Sequence, residues 1–253
     1  MYAEERQRAI LEQARRHGRV DVSSLAASFA ITAETVRRDL TALERSGVLC
    51  RVHGGAIPIE RRGFEPGFAD RDTVMIEEKE RIAVAALSHL PTAGAVFLDA
   101  GTTTGRLAAA LPAELGLTVV THSLTNALAL SGHPHLTLMM VGGRVRRRTL
   151  ATVDSFALDT LRDATVEVAF IAANGLSSAR GLTTPDPAEA MIKRAAIHCA
   201  RRVILVADHT KVGNDHFARF GDLTDVDTFI TDTGIDPRLA REIAAKGPQV
   251  LTV

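Results

Sequence analysis

Between residues 95 and 231, short apolar runs recur at intervals and alternate with helical stretches. The runs are Ala95–Leu98, Thr118–Thr121, Leu136–Val141, Val168–Ala172, Val203–Ala207 and Thr228–Thr231. Helical stretches fall at Glu77–His89, Arg106–Leu111, Leu124–Ser131 and Pro187–Arg201. Such alternation predicts βαβ units and an α/β domain with a mainly parallel sheet, buried on both faces. The strands of a parallel sheet end on one edge, so the segments that leave the runs converge on one crevice.

Those segments are polar. Asp99-Ala100-Gly101-Thr102-Thr103-Thr104-Gly105 comes after the first run, and Thr121-His122-Ser123 closes the second, with Asn126 just inside the next helix. Gly142-Gly143-Arg144, Asn174-Gly175 and Asp208-His209-Thr210-Lys211 come after later runs. The crevice is therefore the expected ligand site. Backbone N–H groups and hydroxyls of Gly101 to Thr104, ahead of a helix, favour an anion such as phosphate. Lys211 adds a point charge, and Asp99 and Asn174 can bond sugar hydroxyls. Taken alone, Gly-Thr-Thr-Thr-Gly is equally a strand-to-helix turn with a threonine cap. No Gly-Lys-Ser/Thr P-loop and no Gly-x-Gly-x-x-Gly comes after a strand, which sets aside ATPase and dinucleotide readings.

Residues 1–57 have a different character. A helix is expected over residues 4–17 with Ile10, Leu11 and Ala14 on one face, ended by Gly18. Ser23 is expected to cap a second short helix bearing Leu25 and Phe29, and Ala30-Ile31 to connect it onward. Thr32 is expected to cap a third, running to Ser46 and stopping at Gly47. Two helices so joined form a helix-turn-helix. On the third helix Val36, Leu40 and Leu43 make a narrow apolar stripe. Glu34, Arg38, Thr41 and Arg45 fall opposite, with Arg37 on a flank. Such a helix presents its N-terminal half to base edges in the major groove, where arginine reads guanine or clamps phosphate. Val48 to Ile57 reads as a β-hairpin wing turning at Gly54-Gly55, with Arg51 and His53 pointing outward. Arg37-Arg38 alone is better explained by a solvated helix face, and His53 alone by a turn; it is the ordered set that points to DNA.

Pro58 to residue 76 reads as a linker, holding Gly63, Pro66, Gly67 and the charged run Glu60-Arg61-Arg62, with Phe64 and Phe68 as candidate anchors. The expected organisation is thus a winged helix-turn-helix at 1–57, a linker at 58–76 and an effector-sensing, oligomerising domain at 77–253.

The stretch Ile31 to Leu40, followed by Arg51-Val52-His53-Gly54-Gly55-Ala56, resembles the N-terminal signature of the DeoR family of bacterial repressors. In order, Asp99 to Thr104, Thr121-His122-Ser123, Gly142-Gly143, Gly181-Leu182-Thr183-Thr184, Glu189-Ala190 and Ala207 to Lys211 resemble that family's effector domain. The resemblance implies a fold similar to ribose-phosphate isomerases. It implies that Thr35, Arg37 and Arg38 lie at the DNA surface and that a sugar phosphate is held by Asp99, Thr102 to Thr104, Ser123, Asn126, Glu189 and Lys211. Gly101, Gly143 and Asn174 complete the expected effector set; Ser23, Thr32, Glu34, Thr41, Arg51 and His53 complete the DNA-binding one. The resemblance also implies repression relieved by the sugar phosphate. One departure stands out: where members of that family carry Gly-Pro after Val153, this chain has Asp154-Ser155, close to Arg144, Arg146, Arg147 and Arg148.

Charge bears on the partners. The net charge is zero over 253 residues, which excludes a general polyanion binder, while residues 1–57 hold nine arginines against seven acids and no lysine. The expected partners are double-stranded operator DNA, a small phosphorylated sugar and further copies of the chain as a dimer or tetramer. No membrane, cofactor or metal is expected. Only His133-Pro134-His135 brings histidines close together, without a Cys or carboxylate at ligand spacing. The two cysteines, Cys50 and Cys199, read as reduced packing residues, and a start without an apolar leader makes a cytoplasmic location the expectation. The rival function is a sugar-phosphate isomerase carrying a DNA-binding module, with Asp99, Glu189, Asp208 and Lys211 doing acid-base work.

Overall fold

The computed structural model describes residues 3–17, 19–46, 48–52, 54–58 and 65–253. Its contacts divide into two compact units, Met1–Val74 and Met75–Val253.

In the first unit the order is α1 (Ala3–His17), β1 (Val20–Asp21), α2 (Val22–Phe29), α3 (Ala33–Arg45), β2 (Leu49–Val52), β3 (Gly55–Pro58) and α4 (Phe68–Asp72). Ile10 and Ala14 from α1, Leu25 from α2, and Val36, Leu40 and Leu43 from α3 bury together with Leu49 and Ala56. This is the apolar stripe expected of α3, and burying such stripes against one another is what stabilises short helices. Thr32 caps α3 as expected, its hydroxyl accepting from the Thr35 N–H at 3.2 Å. Arg6 of α1 and Asp39 of α3 pair through two hydrogen bonds of 2.5 and 3.1 Å, tying the two helices.

Ser23 does not cap α2. Val20 and Asp21 are held as β1 against β3, and the Val22 N–H already donates to Gly54 O at 2.7 Å. The chain therefore enters the helix at Val22, with Asp21 at the cap position, and Ser23 sits in the first turn. The wing also differs from expectation. Val52 pairs with Gly55, so Gly55 already belongs to the strand, and of the two glycines only Gly54 has positive φ, at 75°. Gly55 is needed for another reason: a Cβ there would lie 1.9 Å from Val20 O, so its absence lets β1 pack on β3. The expectations for Gly18, Gly47, His53, Arg61, Arg62 and Phe64 fall outside the described residues. The second half of the expected linker forms α4, where the Gly67 N–H donates to Asp70 at 3.3 Å.

The second unit opens with α5 (Ile76–Leu87), β4 (Ala95–Leu98), α6 (Thr102–Ala109), β5 (Thr118–Thr121), α7 (Leu124–Leu130) and β6 (Thr137–Met140). A hairpin of β7 (Arg144–Arg146) and β8 (Ala151–Val153) comes next, then α8 (Ser155–Arg162) and β9 (Val168–Ile171). The remaining elements are β10 (Gly175–Ser177), β11 (Gly181–Thr184), α9 (Pro187–His198), β12 (Val203–Val206), β13 (Ala218–Gly221), β14 (Thr228–Thr231), α10 (Pro237–Ala244) and β15 (Gln249–Thr252). The central sheet has seven strands in the order β15-β14-β12-β9-β4-β5-β6, all neighbours parallel. The six expected strands are all present, and β15 is an addition at the edge. Alternate residues feed two cores, as strand periodicity requires. Val96 and Leu98 join Ile82 of α5 and Leu107 of α6, while Phe97 joins Leu161 of α8 and Ile192 of α9. Strands β10, β11 and β13 form a separate antiparallel sheet.

The chain runs from β4 outward to β5 and β6, then returns to β9 on the other side of β4. The order therefore reverses between β4 and β9, and in an open parallel sheet such a reversal leaves a crevice beyond the strands' carboxyl ends. One helix differs there. The expected Arg106–Leu111 begins instead at Thr102, so the threonine run is the first turn of α6 rather than a loop before it. Threonine's weak helix preference hid this turn, and burial of Thr102, Thr103 and Thr104 overrides it.

Candidate functional site

Each unit carries a polar constellation. In the first it lies on α3 and β2. Arg37 and Arg38 are exposed, as expected of a DNA-facing pair. Arg37 meets Glu34 at 3.3 Å, whereas Arg38 and Arg45 form no ion pair among the described residues. The Thr35 hydroxyl shares a 2.9 Å hydrogen bond with Thr32, so both stay at the helix start. Thr41 donates to Arg37 O at 2.8 Å and accepts from Arg51 Nη1 at 3.2 Å. The Arg51 N–H donates to Glu44 at 3.0 Å. Arg51 is thus not a free wing residue pointing outward but is fixed beside the helix. Together Arg37, Arg38, Arg45 and Arg51, with Glu34, surround a concavity of about 400 Å³ that Thr41 and Ala42 also line. Ser23 lies on α2, away from this lining, and His53 lies outside the described residues. Arg45 was not expected as a contact, although its place on the outward face of the helical wheel was visible.

In the second unit the constellation surrounds Asp99, at the carboxyl end of β4 and fully buried. One of its oxygens, Oδ2, accepts the Ala172 N–H from beyond β9 at 2.8 Å and the ammonium of Lys193 on α9. Lys193 also donates to Ala172 O at 2.9 Å, which closes a bridge across the strand-order reversal. The other oxygen, Oδ1, lies 2.8 Å from His122 Nε2, while His122 Nδ1 faces Thr152 O at 3.0 Å. Burial alone pushes the Asp99 carboxyl up; the Lys193 charge and the His122 hydrogen bond overcome it and hold the group at about 2. Asp99 is accordingly a charged organiser whose oxygens are occupied by protein groups.

The expected effector residues divide around it. Gly101, Thr102, Thr103 and Thr104 form the N-terminal turn of α6, with the N–H groups of the threonines ahead of the first backbone bond, Gly105 to Gly101 at 2.9 Å. Unpaired N–H groups and the helix dipole at such a turn favour an anion. Asn126 is buried, donates to Asp99 O at 3.0 Å, and leaves its Oδ1 without a partner. Ser123 caps α7 by accepting from the Asn126 N–H at 3.2 Å. Asn174, half-buried, accepts from Thr184 at 2.9 Å. Lys211 donates to Thr210 at 3.1 Å and stands 3.8 Å from the buried Asp208. Burial pushes the Asp208 carboxyl up, and Lys211, Thr210 and Lys79 reverse that and lower it.

Two expected members are tied elsewhere. Glu189 accepts from Arg146 at 3.2 Å and from the Thr149 hydroxyl. Gly143 is exposed with φ of 131°, and a Cβ there would meet Val153 O at 2.5 Å, so its glycine is explained by the β7–β8 packing. Lys193, Lys79, His122 and Arg146 were not among the expected site residues. Lys193 had a visible signal, being one helical turn after Glu189 on an otherwise apolar face, and Arg146 stood in the arginine cluster near Asp154; Lys79 had none. Asp154, after β8, has φ 81° and ψ −170°, a conformation open to glycine alone at low cost, and its carboxylate pairs with Arg144 at 2.6 Å.

Comparison with known proteins identifies both units. Residues 6–62 match the DeoR-like helix-turn-helix domain, and residues 74–233 match the DeoR C terminal sensor domain. The chain is 35% identical over 251 residues to the HTH-type transcriptional regulator GlpR of Haloferax volcanii, covering 99% of this chain and 98% of that one. It is 31% identical to the glycerol-3-phosphate regulon repressor of Escherichia coli, covering 90% of each. A ribose-5-phosphate isomerase solved with phospho-erythronic acid superposes with a TM-score of 0.41 and 20% identity over 54% of each chain.

Proposed function

The chain belongs to the DeoR family of transcriptional regulators, and from that premise we propose that it represses a carbohydrate-metabolism operon and is released by a phosphorylated sugar or related metabolite. It is a regulator rather than an enzyme, which sets aside the isomerase reading: the relatives matched over nine-tenths or more of their length are named as regulators. The observation that carries the effector class is the first turn of α6. That turn comes directly after Asp99, which Lys193 pairs with, and Lys211 stands at the end of another strand of the same sheet. An anion held by unpaired N–H groups suits a phosphate, and Asn126 Oδ1 and Asn174 suit hydroxyls of the attached sugar. That E. coli relative is named for a glycerol-3-phosphate regulon, which supports the same class.

The effector acts as a switch only if it binds the DNA-competent and DNA-incompetent arrangements unequally. One winged unit buries too little surface for specific binding alone, so the repressor works as a dimer or tetramer on repeated half-sites, joined through the second unit. A thermal-shift screen against a panel of sugar phosphates tests this reading. A compound that binds the folded state must raise the melting point, and the same compound must lower affinity for a duplex selected from a randomised pool. If no sugar phosphate moves the melting point while unphosphorylated sugars or other metabolites do, the effector class is wrong.

A further inference from the structure

The face of α3 that meets β2 is built in more detail than base reading alone requires. Arg38, Thr41 and Arg45 stand at i, i+3 and i+7, one ridge about 10 Å long. Thr41, midway, receives Nη1 of Arg51 at 3.2 Å, and Glu44 receives the Arg51 N–H at 3.0 Å. The wing strand is thereby fixed to the helix, and the Arg51 guanidinium is brought into the concavity that Arg45 also lines. Ala42, between them in the lining, has no side chain beyond Cβ and leaves the space open. Glu44, the acid nearest in sequence to Arg45, is engaged by the Arg51 backbone, and Glu34 belongs to the first turn, at the far end of the ridge.

Resting on the reading of α3 as the DNA-facing helix, we propose that Arg45 and Arg51 together hold one backbone phosphate of the duplex, leaving Arg38 to base edges. Arg45 is in the last turn of α3, whereas base contacts come from the N-terminal half of such a helix. Two guanidinium forks gathered around one open space, without a carboxylate of their own, match the oxygens of a phosphodiester. Glu44 and Thr41 are positioning residues: they hold Arg51 and touch no nucleotide.

The test is a salt titration of the full chain on a duplex of arbitrary sequence and on one selected from a randomised pool. Between ~50 and ~200 mM salt, Arg45→Ala lowers the slope of log affinity against log salt by about one per bound protomer. Affinity falls about tenfold on both duplexes, so the ratio between them is unchanged. Arg51→Ala and the Arg45→Ala/Arg51→Ala double variant lower the slope by the same amount, because the phosphate is held only when both forks are present and removing either releases it. Arg38→Ala lowers the ratio instead. A double variant losing about twice the slope, an unchanged slope in Arg45→Ala, or a loss confined to the selected duplex overturns the shared-phosphate assignment. A wild-type chain without salt-dependent binding to either duplex overturns the DNA-facing reading itself. Arg45 is exposed, and coincident melting curves for wild type and variant show that folding is not the cause.

Discussion

Lys193 and Asp99, from α9 and the end of β4, form a buried ion pair whose ammonium also reaches Ala172 O beyond β9. Their side chains are 3% and 0% exposed, so neither charge can turn to solvent if the other is removed. The pair sits where the strand order reverses, two residues before the turn that opens α6.

Removing one partner leaves the other charge stranded. Lys193→Met is expected to destabilise the second unit by about 3–5 kcal/mol, read as a lower urea midpoint. The pH dependence has a definite sign. In the wild type the Asp99 carboxyl is depressed to about 2 from 3.8, so its stabilisation, about 2 kcal/mol, is complete above pH ~4 and lost as pH falls toward ~2. In the variant burial dominates and raises that carboxyl, so protonation relieves the stranded charge. The deficit is therefore largest at neutral pH and closes on acidification; a deficit that stays constant with pH would show that Asp99 is not the group involved.

Asp154 offers the opposite experiment. Its φ of 81° and ψ of −170° cost an L side chain about 1–3 kcal/mol, while its exposed pair with Arg144 is screened by solvent. Asp154→Gly is expected to raise the melting point of the second unit by roughly 2–4 °C. A lower melting point would mean that the Arg144 pair outweighs the backbone strain.

The two wing glycines should respond unequally to alanine. At Gly54 only the backbone conformation is at stake, with open space around the missing Cβ, and Gly54→Ala should cost about 1 kcal/mol. At Gly55 the new methyl would collide with the Val20 carbonyl, forcing β1 from β3 and costing more than about 2 kcal/mol. Circular-dichroism melts of the two variants decide this, and equal losses would refute the close-approach explanation.

The two units should be separable by substitution. Arg38→Ala is expected to weaken operator binding about tenfold or more and leave the effector-induced thermal shift intact. Thr103→Val, in the buried first turn of α6, should reduce that thermal shift and leave DNA affinity unchanged in the absence of effector. Parallel loss of both activities in either variant would argue against this division.

Helices and strands were legible because local periodicity reports which face is buried. Val36, Leu40 and Leu43 declared the inward side of α3, and each short apolar run declared a strand. What misled was a residue with more than one use. Ser23 has the chemistry of a cap, but a two-residue strand just before it moved the helix start. The Thr102 to Thr104 run reads as loop by propensity, yet packing makes it helix. Gly143 looked like part of a ligand loop and is accounted for by the approach of Val153.

The site shows the same division. Its location at the strand ends comes from parallel topology, and Asp99, the threonine turn and Asn126 were found that way. Lys193 was not, because a lysine on an apolar helix face can be a solvated end or a buried charge, and only its partner distinguishes them.

The order of elements, the basic outward face of α3 and the shared edge of the sheet were fixed by the sequence alone, since each depends on neighbours within a few residues. The junction of Lys193 with Asp99, 94 positions apart, and the locking of Arg51 onto Thr41 were decided by the tertiary structure. Such contacts leave no periodic trace in the chain. They exist only once separate elements have packed and brought groups of opposite charge, or a donor and its acceptor, within about 3 Å.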